Sequence, residues 1–140
     1  MLQHTNAVLA KIREIPALAS KTYAVIVPKD AAGNLPARPF VVVYPADGVD
    51  TQERFTGPRS VQHPRFTLHI VGSSYENVAT VAGLVEAQFV SGGFGVAPVV
   101  AGAHTWGLTW EAPIPVQLDT DVVPPVPYQV IEVGFNVEPA

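Results

Sequence analysis

The chain has no cysteine among its 140 residues. That excludes a disulfide framework, Cys–zinc sites and thiol catalysis. Charge is sparse too, with 14% Asp, Glu, Lys and Arg against 48% hydrophobic residues. So apolar a chain, at this length, predicts one globular core and not a solvated, disordered segment. Nowhere does an apolar run approach the roughly 18 residues of a membrane span. The longest aliphatic stretch, Phe40-Val41-Val42-Val43-Tyr44, is strand-length. Met1-Leu2-Gln3-His4 has no basic flank, and Lys11 and Arg13 interrupt the apolar positions that follow. The N-terminus therefore does not read as secretory, and a soluble protein made in the cytoplasm is expected.

The most unusual absence is of positive charge. No Lys or Arg follows Arg65. Residues 1–70 hold eight basic and five acidic side chains, and residues 71–140 hold none and seven. Either this is drift in a Pro- and Val-rich segment, or the molecule has opposed potentials suited to head-to-tail association. In both cases a phosphate-gripping nucleic-acid binder is disfavoured, because no Lys/Arg cluster exists to release counterions.

Glycine and proline, 11 and 14 residues, stay below the roughly 25–30% of low-complexity chains and belong to turns, edges and arms. No internal repeat or clear linker is visible. Val8, Leu9, Ile12 and Ile15 predict a first helix capped by Thr5 or Asn6 and stopped or kinked by Pro16. Strands are expected over Tyr23–Val27 and Pro39–Tyr44, with a turn at Asp30–Asn34 between them. The second strand is apolar on both faces and should be central. Residues 46–64 read as a long connection carrying Glu53, Arg54 and Arg59, with a short β-segment around Glu53–Thr56. Connections of that length are uncommon in small domains unless functional.

Arg65–Val71 alternates, with Phe66, Leu68 and Ile70 on one face and Arg65, Thr67 and His69 on the other. Ser73 and Glu76 have capping-box spacing ahead of a helix whose stripe is Val78, Val81, Ala82, Val85 and Phe89, ended by Gly92-Gly93. Further strands are expected at Val96–Val100, Thr105–Glu111, Val116–Val122 and Tyr128–Val137, the third broken by Pro124-Pro125-Val126-Pro127. The fold class is α+β: one domain over residues 1–140, two helices on one face of a mostly antiparallel sheet, with a long loop and Pro-rich β arms. The other face must be polar or must meet another molecule.

Motifs for chemistry are missing. His63, His69 and His104 lack the short, rigid spacing of a zinc site. No G-x-S-x-G elbow is present, and Ser73 and Ser74 read as caps. Asp119 and Asp121 would share a strand face, but nothing nearby supports acid–base work. Gly92-Gly93-Phe94-Gly95 follows a helix, where a dinucleotide fingerprint must follow a strand. No catalytic, cofactor or metal site is expected, and the chain does not read as an enzyme. Trp106 and Trp110, four apart on a strand, should share a face with Leu108, either in the core or at a subunit interface.

One segment carries a resemblance. Tyr44-Pro45-Ala46-Asp47-Gly48, Asp50-Thr51, Arg54-Phe55-Thr56-Gly57-Pro58-Arg59, and Gln62-His63-Pro64-Arg65-Phe66-Thr67-Leu68-His69-Ile70-Val71-Gly72 resemble the tail terminator (tail completion) proteins of long-tailed bacteriophages, especially those of actinobacteria. The resemblance covers residues 39–90 and is one of texture, without a catalytic signature. It implies a small α+β virion protein, assembled in the host cytoplasm, that forms a hexameric ring on the end of the tail tube. Such a ring ends tube polymerisation and provides the surface for head–tail joining. The partners implied are further copies of the chain, the major tail tube protein and a neck or head-completion protein. Phage DNA would pass through the lumen without specific binding, and no cofactor or membrane is implied. The residues expected at ring contacts are Arg54, Arg59, His63 and Arg65, with Trp106 and Trp110 as further interface candidates. A neck or head-completion protein, another minor tail protein, or a small ligand-binding or enzymatic α+β domain are the alternatives.

Overall fold

The computed structural model describes residues 2–51, 61–121 and 125–139, with residues 47–51 and 139 as backbone only. Helix α1 (Leu2–Arg13) leads through a 3-10 turn (Pro16–Leu18) to β1 (Thr22–Ala24), β2 (Phe40–Thr51) and β3 (Val61–Val71). Helix α2 (Tyr75–Phe89) follows, then β4 (Val90–Ser91), β5 (Phe94–Gly95), β6 (Ala103–Glu111), β7 (Gln117–Asp119) and β8 (Val126–Pro139). Among the described residues six strands form one sheet in the order β1-β2-β3-β8-β6, and β7 pairs with the N-terminal end of β8. Among the described residues only the β1–β2 pairing is parallel. The α+β class with a mostly antiparallel sheet is thus the architecture observed.

Both helices lie on one face. Val8, Leu9 and Ile12 of α1 and Val78, Val81, Val85 and Phe89 of α2 share a single core with the inward side chains of the sheet. Those are Val41 and Val43 from β2, Phe66, Leu68 and Ile70 from β3, and Ile131, Val133, Phe135 and Val137 from β8. The two-residue period of the strands and the 3.6-residue period of the helices place them there. Burial of this apolar surface is the main stabilising term. Two hydrogen bonds fasten the end of α1 to the sheet: Arg13 Nη2 donates to Thr22 O and Thr22 Oγ1 to Leu18 O, each at 2.8 Å.

Several expectations shift. Helix α1 begins at Leu2, so Thr5 does not cap it but is buried within it, next to His4. The box at α2 sits one residue later than Ser73/Glu76: Ser74 Oγ accepts from Asn77 N, and Asn77 Oδ1 accepts from Ser73 N. The reach-back needs only a side-chain acceptor at the third helical position, and Asn77 supplies it. The glycines Gly92 (φ +59°) and Gly93 (φ +82°) turn the β4–β5 hairpin and do not end α2, whose cap is the extended Val90. Positive φ at both central residues is what a tight hairpin turn requires.

The first strand stops at Ala24, where Val25 takes φ +61°. Strand β2 runs on to Thr51 and β3 starts at Val61, so residues 46–51 and 61–64 of the expected loop are paired strand. The segment at Glu53–Thr56, with Arg54 and Arg59, lies outside the described residues. No strand forms over 96–100; Pro98 and the bond from Val96 N to Phe89 O divert that stretch. Strand β7 covers only Gln117–Asp119, and β8 starts inside the Pro run at Val126.

Candidate functional site

The sheet face turned away from the helices is built by alternate residues of four strands. Strand β3 presents His63, Arg65, Thr67, His69 and Val71, and β8 presents Tyr128, Val130, Glu132, Gly134 and Asn136. The register sets them in rows, with Phe40 opposite Val71, Val42 opposite His69, and Arg65 opposite Gly134.

One end of this face is aromatic. His69 sits between Tyr44 (4.8 Å between ring centroids) and Tyr128 (6.2 Å). Phe40 packs edge-on against Tyr23. A groove of about 350 Å³ opens there, lined by Leu35, Arg38, Phe40, His69, Asp119 and Tyr128 among others. Desolvation by its aromatic neighbours holds the His69 imidazole below its usual pKa.

The other end is polar. Gly134 has no side chain, and two shallow hollows of about 170 and 260 Å³ meet over it, sharing Arg65 and Thr109. Glu111 and Glu132 are direct cross-strand partners and line the first hollow. Like charges so placed repel, and Arg65 lines the same hollow. At the far side of the second hollow the His63 Nδ1 is hydrogen-bonded to Asn136 Oδ1. Asn136 in turn pairs with Trp106 of β6, which stacks on His104 at 5.4 Å. Thus His63, Arg65 and Trp106 lie on one open face, at the foot of the β2–β3 hairpin whose residues 52–60 include Arg54 and Arg59.

Trp110 does not join them. The β6–β8 register slips between Trp106 and Thr109, at Gly107 with φ +67°. A Cβ on Gly107 would run into the Asn136 side chain. This bulge inserts a residue and reverses the alternation, so Trp106 and Trp110 point to opposite faces. Trp106 is 36% exposed on the outer face, whereas Trp110 packs against Phe89 of α2. The expectation that spacing alone puts both on one face is corrected by the bulge.

Two further expectations can be placed. Asp121 N donates to Asp119 Oδ1 at 3.1 Å, so this pair closes a turn after β7 and does not present two carboxylates along a strand. The three outer-face histidines have separate surroundings: His63 on Asn136, His69 between tyrosines, His104 on Trp106. Among the described residues no three His, Asp or Glu side chains gather in a metal-binding group, and no helix is long and apolar enough to cross a membrane. Glu111, Glu132 and Asn136 were missed as site residues. For Glu132 and Asn136 the signal was the polar alternation of β8, but the meeting of all three with Arg65 and His63 depends on cross-strand register.

The fourth histidine is set apart. His4 is 7% exposed under α1, edge-on to Phe135, and its Nδ1 has no hydrogen-bond partner among the described residues. Desolvation lowers its pKa as it does that of His69, and the positive chain terminus adds to this. A histidine depressed in the folded state binds a proton more readily when unfolded. Stability is therefore full above about pH 6.5, the unfolded His value, and falls as the pH drops through it toward the folded value. Urea midpoints should decline between about pH 7 and 5.5. A His4→Phe, His69→Gln double variant should flatten that slope, and an unchanged slope would assign it to other groups.

No protein-family model matches the chain, and no curated protein matches it.

Proposed function

We propose that this chain is a virion structural protein of the tail-terminator type: it forms a ring on the end of a phage tail tube, ends tube polymerisation and provides the head–tail joining surface. Two things support the reading. The first is the sequence resemblance over residues 39–90. The second, which carries it, is the convergence of His63, Arg65 and Trp106 on a sheet face left bare by both helices. A face of this kind suits contact with another protein chain, since its hollows are shallow and their lining comes from four strands. The bare face has a use in a ring, where each subunit needs two different contact patches.

The reading is tested in a phage that encodes the chain. Interrupting its coding sequence should give overlong tails that carry no heads. Tails of normal length joined to filled heads would overturn it. Headless tails of normal length would favour a neck or head-completion role.

A further inference from the structure

The strand order separates the charges in space as well as in sequence. Strand β1 forms one end of the sheet and β6 the other. Around β1 lie Lys11 and Arg13 in the last turn of α1, Lys21 at the entry to the strand, and Lys29 in the loop that leaves it. Glu14 and Asp30 are the acids there, and Asp30 is engaged in its own turn by Ala32 N and Asn34 N. Around β6 and β7 lie Glu111, Asp121 and Glu138, the last paired with His104, while Asp119 of β7 lines the outer-face groove together with Arg38. These segments hold no cation, because no Lys or Arg follows Arg65. Arg65 itself stands inboard, over the hollow shared with Glu111.

The β1 edge is closed to strand addition. Lys21 O accepts from Val41 N and Val25 N donates to Val43 O, so the Thr22 and Ala24 carbonyls point away from β2. Both are already occupied, Thr22 O by Arg13 Nη2 and Ala24 O by Ile26 N. An edge blunted in this way meets a neighbour through side chains, not through backbone pairing.

We propose that the basic β1 edge of one copy docks against the acidic β6–β7 edge of the next. The inference rests on the ring reading and names the two surfaces that meet. The contact is heterologous: different patches on each copy, the arrangement that closes into rings. Complementary potential fixes register and speeds encounter, and makes the contact salt-sensitive. Each exposed ion pair contributes little alone, so the effect lies in the set and in the multiple contacts of a closed ring.

The test uses two charge-reversal variants of the full chain. One carries Lys11→Glu, Lys21→Glu and Lys29→Glu; the other carries Glu111→Lys, Asp121→Lys and Glu138→Lys. Association is followed by light scattering at low salt, with thermal melts to verify folding. A parallel pair with Gln at the same positions removes charge without reversing it and serves if a reversal variant is unfolded. Each variant alone should associate at least about tenfold more weakly than the native chain. An equimolar mixture should regain association, because each variant's altered edge then fits the other's. Variants that assemble alone as the native chain does, or a mixture of folded variants that stays dissociated, would overturn the edge contact and leave the ring reading standing. A native chain that never associates and never caps tubes would overturn both.

Discussion

Phe66→Ala should lower the unfolding free energy by about 3–5 kcal/mol, the range for removing a large aromatic from a packed core. Phe66 is 1% exposed on β3, the third strand in the sheet order, with β2 on one side and β8 on the other. Its ring stacks on Phe135 at 5.9 Å and an interplanar angle of 12°. Phe135 in turn receives the edge of His4 from α1. One side chain thus joins two neighbouring strands to the first helix, and its removal leaves a cavity that rigid strands cannot close. Domains of this size have about 5–15 kcal/mol in total, so the variant should be marginal at room temperature. Urea unfolding gives the number. A loss under about 1.5 kcal/mol would mean that the helices and sheet repack independently.

The second large effect is on assembly. Arg54→Glu with Arg59→Glu should abolish ring formation while leaving the unfolding free energy within about 0.5 kcal/mol of native. Both arginines belong to residues 52–60, between the end of β2 and the start of β3. On the ring reading they meet acidic groups of the neighbouring copy. Reversing both replaces attraction by like-charge contact, a difference of several kcal/mol at an interface. Sedimentation or light scattering reads the outcome. Rings that persist unchanged would remove the loop arginines from the interface. The loop variant and the edge variants share no substituted residue, since residues 52–60 are native in the edge set.

How much of this was legible follows the range of the interaction involved. Alternation in Arg65–Val71 assigned each side chain to its correct face, because a two-residue period is local and the apolar set has one place to go. The stripe from Val78 to Phe89 is helical for the same reason. The capping box moved by one residue because adjacent serines and the adjacent acceptors Glu76 and Asn77 give two boxes the same spacing, and Ser74 with Asn77 is the pair formed. Trp106 and Trp110 were separated by a bulge at Gly107, which a lone glycine in a strand signals but does not locate in register. The β2–β3 hairpin proved longer than expected because Gly48 and Asp50 resemble turn residues, yet the ladder continues past a slip at Ala46/Val49. The pairing of β8 between β3 and β6, which brings Glu132, Glu111 and Arg65 together, joins residues far apart in the chain and leaves no local trace. The charge division was plain in the composition, but its conversion into two opposite sheet edges required the strand order.

The measurement that tests the ring most directly is the mass of the purified chain across a concentration series, by light scattering coupled to size exclusion, with the particles then imaged. The account predicts a six-subunit ring, or a monomer that closes into such rings as concentration rises or on contact with tail tubes. A concentration-independent monomer or compact dimer, without rings and without binding to tubes, would contradict it and turn attention to the groove between Leu35, Phe40 and Tyr128 as a ligand site.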